Sequence, residues 1–234
     1  MTAIVLLPGL DGTGELFAPL VAAWGDRFRT QVVSYPRADR LGYAALADRV
    51  RALLPLHEDY VLLAESFSGP LGVMLAAERP QRLRGLVLCA TFARSPLPLL
   101  RWMAPLAQAI SPAVLPDRVL AWGLLGSYAT PSLLRAIRHA VQSVDPVVLA
   151  ERVRAVAEVD VSVALSDVQV PVLYLQARRD RVVPRRAVRP FVVALGDRLR
   201  VAPRAGPHCL LQARPGDTAA AISSFVSGLT PSWG

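Results

Sequence analysis

Six short apolar runs, at residues 3–7, 30–35, 60–64, 85–90, 170–176 and 198–202, divide the chain, and most stretches between them carry apolar residues at helical spacing. Most of these runs are continuous and do not alternate with polar residues. Continuous apolar strands belong to sheets covered by helices on both faces. Strand and helix in alternation predict an α/β fold: a mostly parallel central sheet of about six strands, flanked by crossover helices. The helices are expected at 15–24, 42–54, 68–78, 185–195 and 208–228, with Gly25, Pro55 and Pro80 marking ends. A chain of 234 residues lies within the size of one hydrophobic core, so 1–234 reads as a single domain.

The alternation breaks once. From Phe92 to about Pro146 no strand is evident, and proline-punctuated helical pieces follow one another at 97–110, 116–123 and 131–144. A further helix is expected at 146–159, before the sheet pattern resumes. A helical insertion over 92–146 is too long for an ordinary strand-to-helix loop. It is either a cap over a site or a small packing subdomain.

Composition removes several functions. Hydrophobic residues make up 53% of the chain and charged residues 19%, which excludes a disordered chain. All 26 basic residues are arginine, for a net charge of +8, but they are scattered over the whole length. The densest group, Arg178, Arg179, Arg181, Arg185, Arg186 and Arg189, has no interleaved aromatics and reads as a solvated surface, with no nucleic acid as partner. Cys89 and Cys209 form neither a disulfide framework nor a metal-ligand cluster, so no metal or other cofactor is expected. No positively charged segment precedes the apolar residues 4–7, and the stretch 97–116 is interrupted by Arg101, Gln108 and several prolines. A cytoplasmic protein without a membrane span is the expectation.

Three constellations carry chemistry. At 62–69 (Leu-Leu-Ala-Glu-Ser-Phe-Ser-Gly) an apolar strand ends, a serine follows and a helix begins. Ala64 and Ser68, two residues either side of Ser66, are small enough for a sharp strand-to-helix turn. Such a turn lifts the Ser66 hydroxyl above the sheet, at a helix N-terminus. At 6–14 (Leu-Leu-Pro-Gly-Leu-Asp-Gly-Thr-Gly) a second apolar strand ends in a glycine-rich loop. It lacks the lysine of a phosphate-binding loop and the spacing of a dinucleotide fingerprint, and its backbone N–H groups suit an oxyanion instead. Third, of the three histidines only His208 follows a strand at its C-terminal end; His57 precedes one and His139 sits in the insertion. Asp180 also follows a strand, whereas Asp167 and Asp197 precede theirs. Serine, aspartate and histidine thus come in that order, each beyond the carboxyl end of a strand, where open α/β sheets bind ligands.

On these residues the chain resembles the α/β-hydrolase superfamily of serine hydrolases, beginning at what would be that family's third strand and so lacking its first two. The resemblance rests on the elbow 64–69, the oxyanion segment Pro8-Gly9-Leu10, the acid in 179–184 and the histidine in Gly206-Pro207-His208. It extends over nearly the full length, with 92–146 in the place of a helical cap. Two departures are Pro8-Gly9 where the family has His-Gly, and Ala64 where its elbow begins with glycine. The resemblance implies Ser66 as nucleophile, His208 as general base and acid, Asp180 as the group orienting His208, and the N–H groups of Leu10 and Phe67 as oxyanion donors.

The implied activity is cleavage of a carboxylic ester of a small or medium apolar acyl group through an acyl-enzyme. An acyltransferase or thioesterase of the same fold is the rival reading, and a non-catalytic small-ligand-binding protein the third. Trp102, Trp122, Leu125 and Tyr128 of the insertion are expected to divide between packing the cap and touching the acyl group. Glu65 either charges the pocket floor, raises the basicity of His208 or bonds a backbone amide. Asp11 either contacts a substrate donor or, more in keeping with aspartate in turns, holds the glycine loop.

Overall fold

The computed structural model describes residues 2–96 and 115–229. Among them six strands, β1 (Ala3–Leu7), β2 (Arg29–Val32), β3 (Tyr60–Glu65), β4 (Leu83–Cys89), β5 (Val172–Ala177) and β6 (Leu199–Arg204), pair wholly in parallel in the order β2-β1-β3-β4-β5-β6. The described helices are α1 (Ala18–Trp24), α2 (Tyr43–Arg51), α3 (Gly69–Ala77), α4 (Asp117–Leu120), α5 (Pro131–Gln142), α6 (Pro146–Glu158), α7 (Arg189–Leu195), α8 (Leu210–Ala213) and α9 (Pro215–Ser227).

The two-residue period of the strands splits each apolar run between two cores. Val5, Leu7, Leu62 and Ala64 pack with Leu46 and Val50 of α2, Leu71 and Leu75 of α3, and Phe191 of α7. Ile4, Leu6, Val61 and Leu63 pack on the other face with Leu20 and Trp24 of α1 and Ile222 and Phe225 of α9. Both faces are therefore dry, and the central strands show no polar alternation. From β1 the chain crosses to β2 on one side and afterwards to β3 on the other. The reversal opens a crevice beyond the carboxyl ends of β1 and β3, where the loop after Leu7 and the turn after Glu65 face each other.

The last helix departs from expectation. In place of one helix over 208–228 there are two, separated at Arg214, whose backbone sits at φ −136° and ψ 51°. Pro215 is the reason: its ring disfavours helical backbone in the residue before it, and it fits the first turn of α9, where no N–H is needed.

The excursion between β4 and β5 leaves and returns through a stem. Arg94 bridges Asp160 in antiparallel fashion, Val161 N–H donates to Ala93 O at 2.8 Å and Ser95 N–H to Val159 O at 3.0 Å. The described part holds α4, a π-helical turn Ala121–Leu125, a 3-10 turn Gly126–Tyr128, α5 and α6. Leu125, Ile137, Val141, Val144, Val148 and Leu149 form a third apolar cluster, joined from the sheet domain by Cys209. Val148 and Leu149 belong to α6, so the elements packing together run past residue 146. The helix expected at 97–110, with Trp102, lies outside the described residues. No described helix is long and apolar enough to cross a membrane.

Candidate active site

Ser66 stands at the junction of β3 and α3 with φ at +48°, a backbone conformation that costs a residue with a side chain about 1–3 kcal/mol. The neighbourhood fixes that strain in place. Thr91 Oγ1, beyond the end of β4, donates to Ser66 O at 2.5 Å, and a Cβ on Gly69 would collide with the Thr91 side chain. Ala64, where the resemblance leads one to expect glycine, faces Gly72 of α3; a Cβ at Gly72 would lie 2.8 Å from that of Ala64. The methyl group missing from the helix makes room for the one present in the strand.

Three side chains meet beyond the strand ends. His208 Nδ1 lies 2.9 Å from Asp180 Oδ2, and His208 Nε2 lies 2.9 Å from Ser66 Oγ. A carboxylate accepts only, so Nδ1 carries the proton and Nε2 is left to accept from the Ser66 hydroxyl. The second oxygen of Asp180, Oδ1, accepts from Val182 N and Val183 N, both at 2.8 Å, which locks the carboxylate to its own loop. Burial of His208 by itself would lower its pKa, but the attraction and hydrogen bond of Asp180, helped by the Glu65 charge, outweigh that and hold it above the usual value of 6.5. The imidazolium is thus easier to form here than on a free histidine.

The glycine loop after β1 lies against the turn that carries Ser66. Gly12 and Gly14 have φ of +69° and +78°, and Asp11 Oδ1 accepts from Thr13 N at 2.9 Å and Thr13 Oγ1 at 2.5 Å. Asp11 therefore closes the turn of its own loop. The N–H of Leu10 has no acceptor among the described residues. Ser68 Oγ bonds Pro8 O and lies 2.6 Å from the Tyr35 hydroxyl, tying the loop to the elbow. On the far side, Arg152 of α6 donates to Leu10 O at 2.9 Å, Asp11 O at 2.7 Å and Pro36 O at 2.9 Å.

Glu65 is buried behind the serine. Gln212 Nε2 donates to its two oxygens at 3.0 and 3.2 Å, so its partner is a side-chain amide and not a backbone amide. Burial, opposed in part by that bond, pushes the Glu65 carboxyl up to about 7. Leu125 is buried in the insertion's cluster beside Cys209, whose N–H donates to Leu124 O at 3.0 Å. Trp122 is exposed, with the Arg181 guanidinium 4.8 Å from its ring centre, and Arg179 lies over Tyr128 at 5.8 Å. Asp167 pairs with Arg79, and His139 is exposed beside Glu15, both apart from the Ser66 cluster.

Arg152, Tyr35 and Gln212 were not legible as site residues. Arg152 sits in a helix among other arginines and shows no local signal; Ser68 stood out only for its small size. Among the described residues no cluster of histidine, cysteine and carboxylate groups could hold a metal ion.

A model of the alpha/beta hydrolase family matches residues 4–221. Two pimeloyl-[acyl-carrier protein] methyl ester esterases are similar in sequence. That of Aeromonas hydrophila subsp. hydrophila is 29% identical over 79% of this chain and 80% of its own length. That of Stenotrophomonas maltophilia is 28% identical over 99% of this chain and 95% of its own. Among solved structures, the enol-lactonase from Burkholderia xenovorans LB400 superposes with a TM-score of 0.81 at 23% identity, covering 97% of this chain and 91% of that one. A thermophilic esterase from Thermogutta terrifontis gives 0.82 at 20% identity, covering 97% and 90%.

Proposed function

The chain belongs to the alpha/beta hydrolase family, and from that premise we propose that it is a carboxylic-ester hydrolase working through Ser66, His208 and Asp180. Ser66 Oγ attacks the carbonyl carbon of the ester while its proton passes to His208 Nε2. The negative charge that develops on the carbonyl oxygen is received by the N–H groups of Leu10 and Phe67. Collapse expels the alcohol, protonated by His208, and leaves the acyl group on Ser66. Water, deprotonated by the same nitrogen, then releases the acid and restores the serine. Asp180 holds the imidazole in the required tautomer and stabilises its positive form.

The single observation carrying this reading is the unbroken line from Asp180 Oδ2 through His208 to Ser66 Oγ, 2.9 Å at each step, ending on a serine with positive φ. The curated relatives, named as methyl ester esterases, support an ester over an amide or a phosphate. The acyl group is small or medium and apolar, and the insertion acts as its cap. In support, Cys209, next to His208, is packed into the insertion's cluster. The stem at Arg94 and Asp160 returns the chain to the sheet domain.

The test is labelling with a small fluorophosphonate followed by peptide mapping, together with turnover of p-nitrophenyl and methyl esters of acetate, butyrate and hexanoate. A Ser66 adduct and hydrolysis without added metal are expected. Ser66→Ala should lower kcat by roughly 10⁴- to 10⁶-fold, and adding His208→Ala should lower it little further. Parent-level turnover in Ser66→Ala would end the assignment.

A further inference from the structure

Arg152 is 2% exposed and lies within salt-bridge reach of no carboxylate among the described residues. The Asp11 charge acts on it from beyond pairing distance, and a buried guanidinium with no directly paired carboxylate is costly, persisting only where its donors are used. Here all the bonds go to backbone carbonyls of two loops at the crevice. Nη1 serves Leu10 O and Asp11 O, Nη2 serves Pro36 O, and the guanidinium sits 5.7 Å from the Tyr35 ring centre. Gly12 is open to it: a Cβ there would stand 2.5 Å from Nη1.

The loop Pro8–Asp11 is thereby held at both ends by different parts of the molecule. Pro8 O is bonded by Ser68 of the elbow, and Leu10 O and Asp11 O by Arg152 of the insertion helix α6. The peptide between Gly9 and Leu10, which presents the Leu10 N–H, lies between the two anchors, and its Gly9 O accepts from Gly12 N at 3.0 Å within the loop's own turn. An oxyanion donor works only if its N–H already points to where charge will appear, since reorientation during the reaction forfeits the gain.

We infer that Arg152 is a positioning residue for the oxyanion site: from the insertion it holds the turn Gly9–Gly12, whose own Gly12–Gly9 bond orients the Leu10 N–H, in place against the elbow. The inference rests on the esterase reading above. It also makes the insertion part of the catalytic geometry, because a displacement of α6 would carry the Leu10 carbonyl's anchor with it.

The experiment compares Arg152→Met and Arg152→Lys with the parent in steady-state hydrolysis of p-nitrophenyl butyrate and in inhibition by an alkyl trifluoromethyl ketone. That ketone adds to a catalytic serine and places a full oxyanion in the site. Parent turnover and fluorophosphonate labelling of Ser66 are measured first, so that their loss counts against the esterase reading and a flat kcat in the variants counts against Arg152 alone. Arg152→Met should lower kcat roughly 10- to 100-fold with KM within about threefold, less than the 10²–10³ typical of deleting an oxyanion donor outright. The ketone's Ki should rise by a similar factor. Arg152→Lys, with a charge and donors that cannot fork across the same carbonyls, should fall between Met and the parent in both quantities. Parent-level kcat in a folded variant overturns the inference, as does a loss of kcat with unchanged ketone affinity. If Arg152→Met loses its cooperative melting transition, Arg152→Lys decides by the same parallel. Failure of both to fold overturns it in favour of a purely structural arginine.

Discussion

Glu65 shows what the site costs at the level of one residue. Its carboxyl is pushed up to about 7 from 4.5 by burial, so the folded protein prefers the protonated form more strongly than the unfolded chain does. The sign follows from linkage. A group with a raised folded pKa contributes stability that is fully present below the unfolded value and is lost as pH rises through the folded one. Between about pH 4.5 and pH 7, ionisation of Glu65 therefore removes up to about 3 kcal/mol from the fold, at 1.36 kcal/mol per unit. Glu65→Gln, which never ionises, should match the parent's stability at pH 4 and exceed it by pH 8, as read by urea denaturation at each pH. The same charge helps hold His208 above 6.5. The variant's acid limb in kcat/KM should accordingly move to lower pH, the two groups titrating as a coupled pair. A stability difference independent of pH would remove Glu65 from this account.

At the scale of elements, the strand-to-helix turn works because β3 and α3 share one small volume. Ala64 occupies space that Gly72 leaves free, and Leu86 of β4 closes the other side, 3.3 Å from a Cβ built on Gly72. Gly72→Ala should therefore cost about 1–3 kcal/mol by overpacking, despite the better helix propensity of alanine. Ala64→Gly in the same chain should recover most of that loss, which a double-mutant cycle in denaturant would register as coupling of the two sites. Simple additivity would mean that the methyl groups do not compete for one volume. The departure from the family's elbow glycine is thus a property of a pair of elements, invisible when either segment is read alone.

At the scale of the molecule, the loop bearing Asp180 also grips the insertion. Arg181 stacks on Trp122 and donates to Trp122 O at 2.8 Å, while Arg179 stacks on Tyr128 and donates to Ser127 Oγ at 3.2 Å. Exposed cation–π contacts contribute about 0.5–1 kcal/mol each. Removing both with Arg179→Ala and Arg181→Ala should favour opening of the segment around 121–128 by about 1–2 kcal/mol, a shift of roughly tenfold. Limited proteolysis in that segment should speed up to match, and fluorophosphonate labelling of Ser66, a small-reagent reaction, should be little changed. Unaltered cleavage kinetics would show that the cluster around Leu125 and Cys209 holds the insertion without help from the two arginines.

The sequence by itself was sufficient for the parallel sheet, because a strand buried on both faces has to be apolar without alternation, as 3–7 and 60–64 are. It also singles out Ser66, Asp180 and His208, whose side chains meet in the structure, because each is the chemically distinctive residue just beyond a strand's carboxyl end. One break is local in origin and still escapes the pattern: Pro215 ends the helix at Arg214, but the apolar spacing on either side of it suggests one continuous helix. What only the tertiary structure decided was partnership between residues far apart in the chain. Arg152 stands 141 residues from Asp11 and Gln212 stands 147 from Glu65, and neither leaves a trace in local periodicity. Periodicity records which face of an element avoids water, and that is a property of one segment. A hydrogen bond between a buried arginine and a distant carbonyl depends on where two elements stand after the whole chain has packed, and no single segment contains that information.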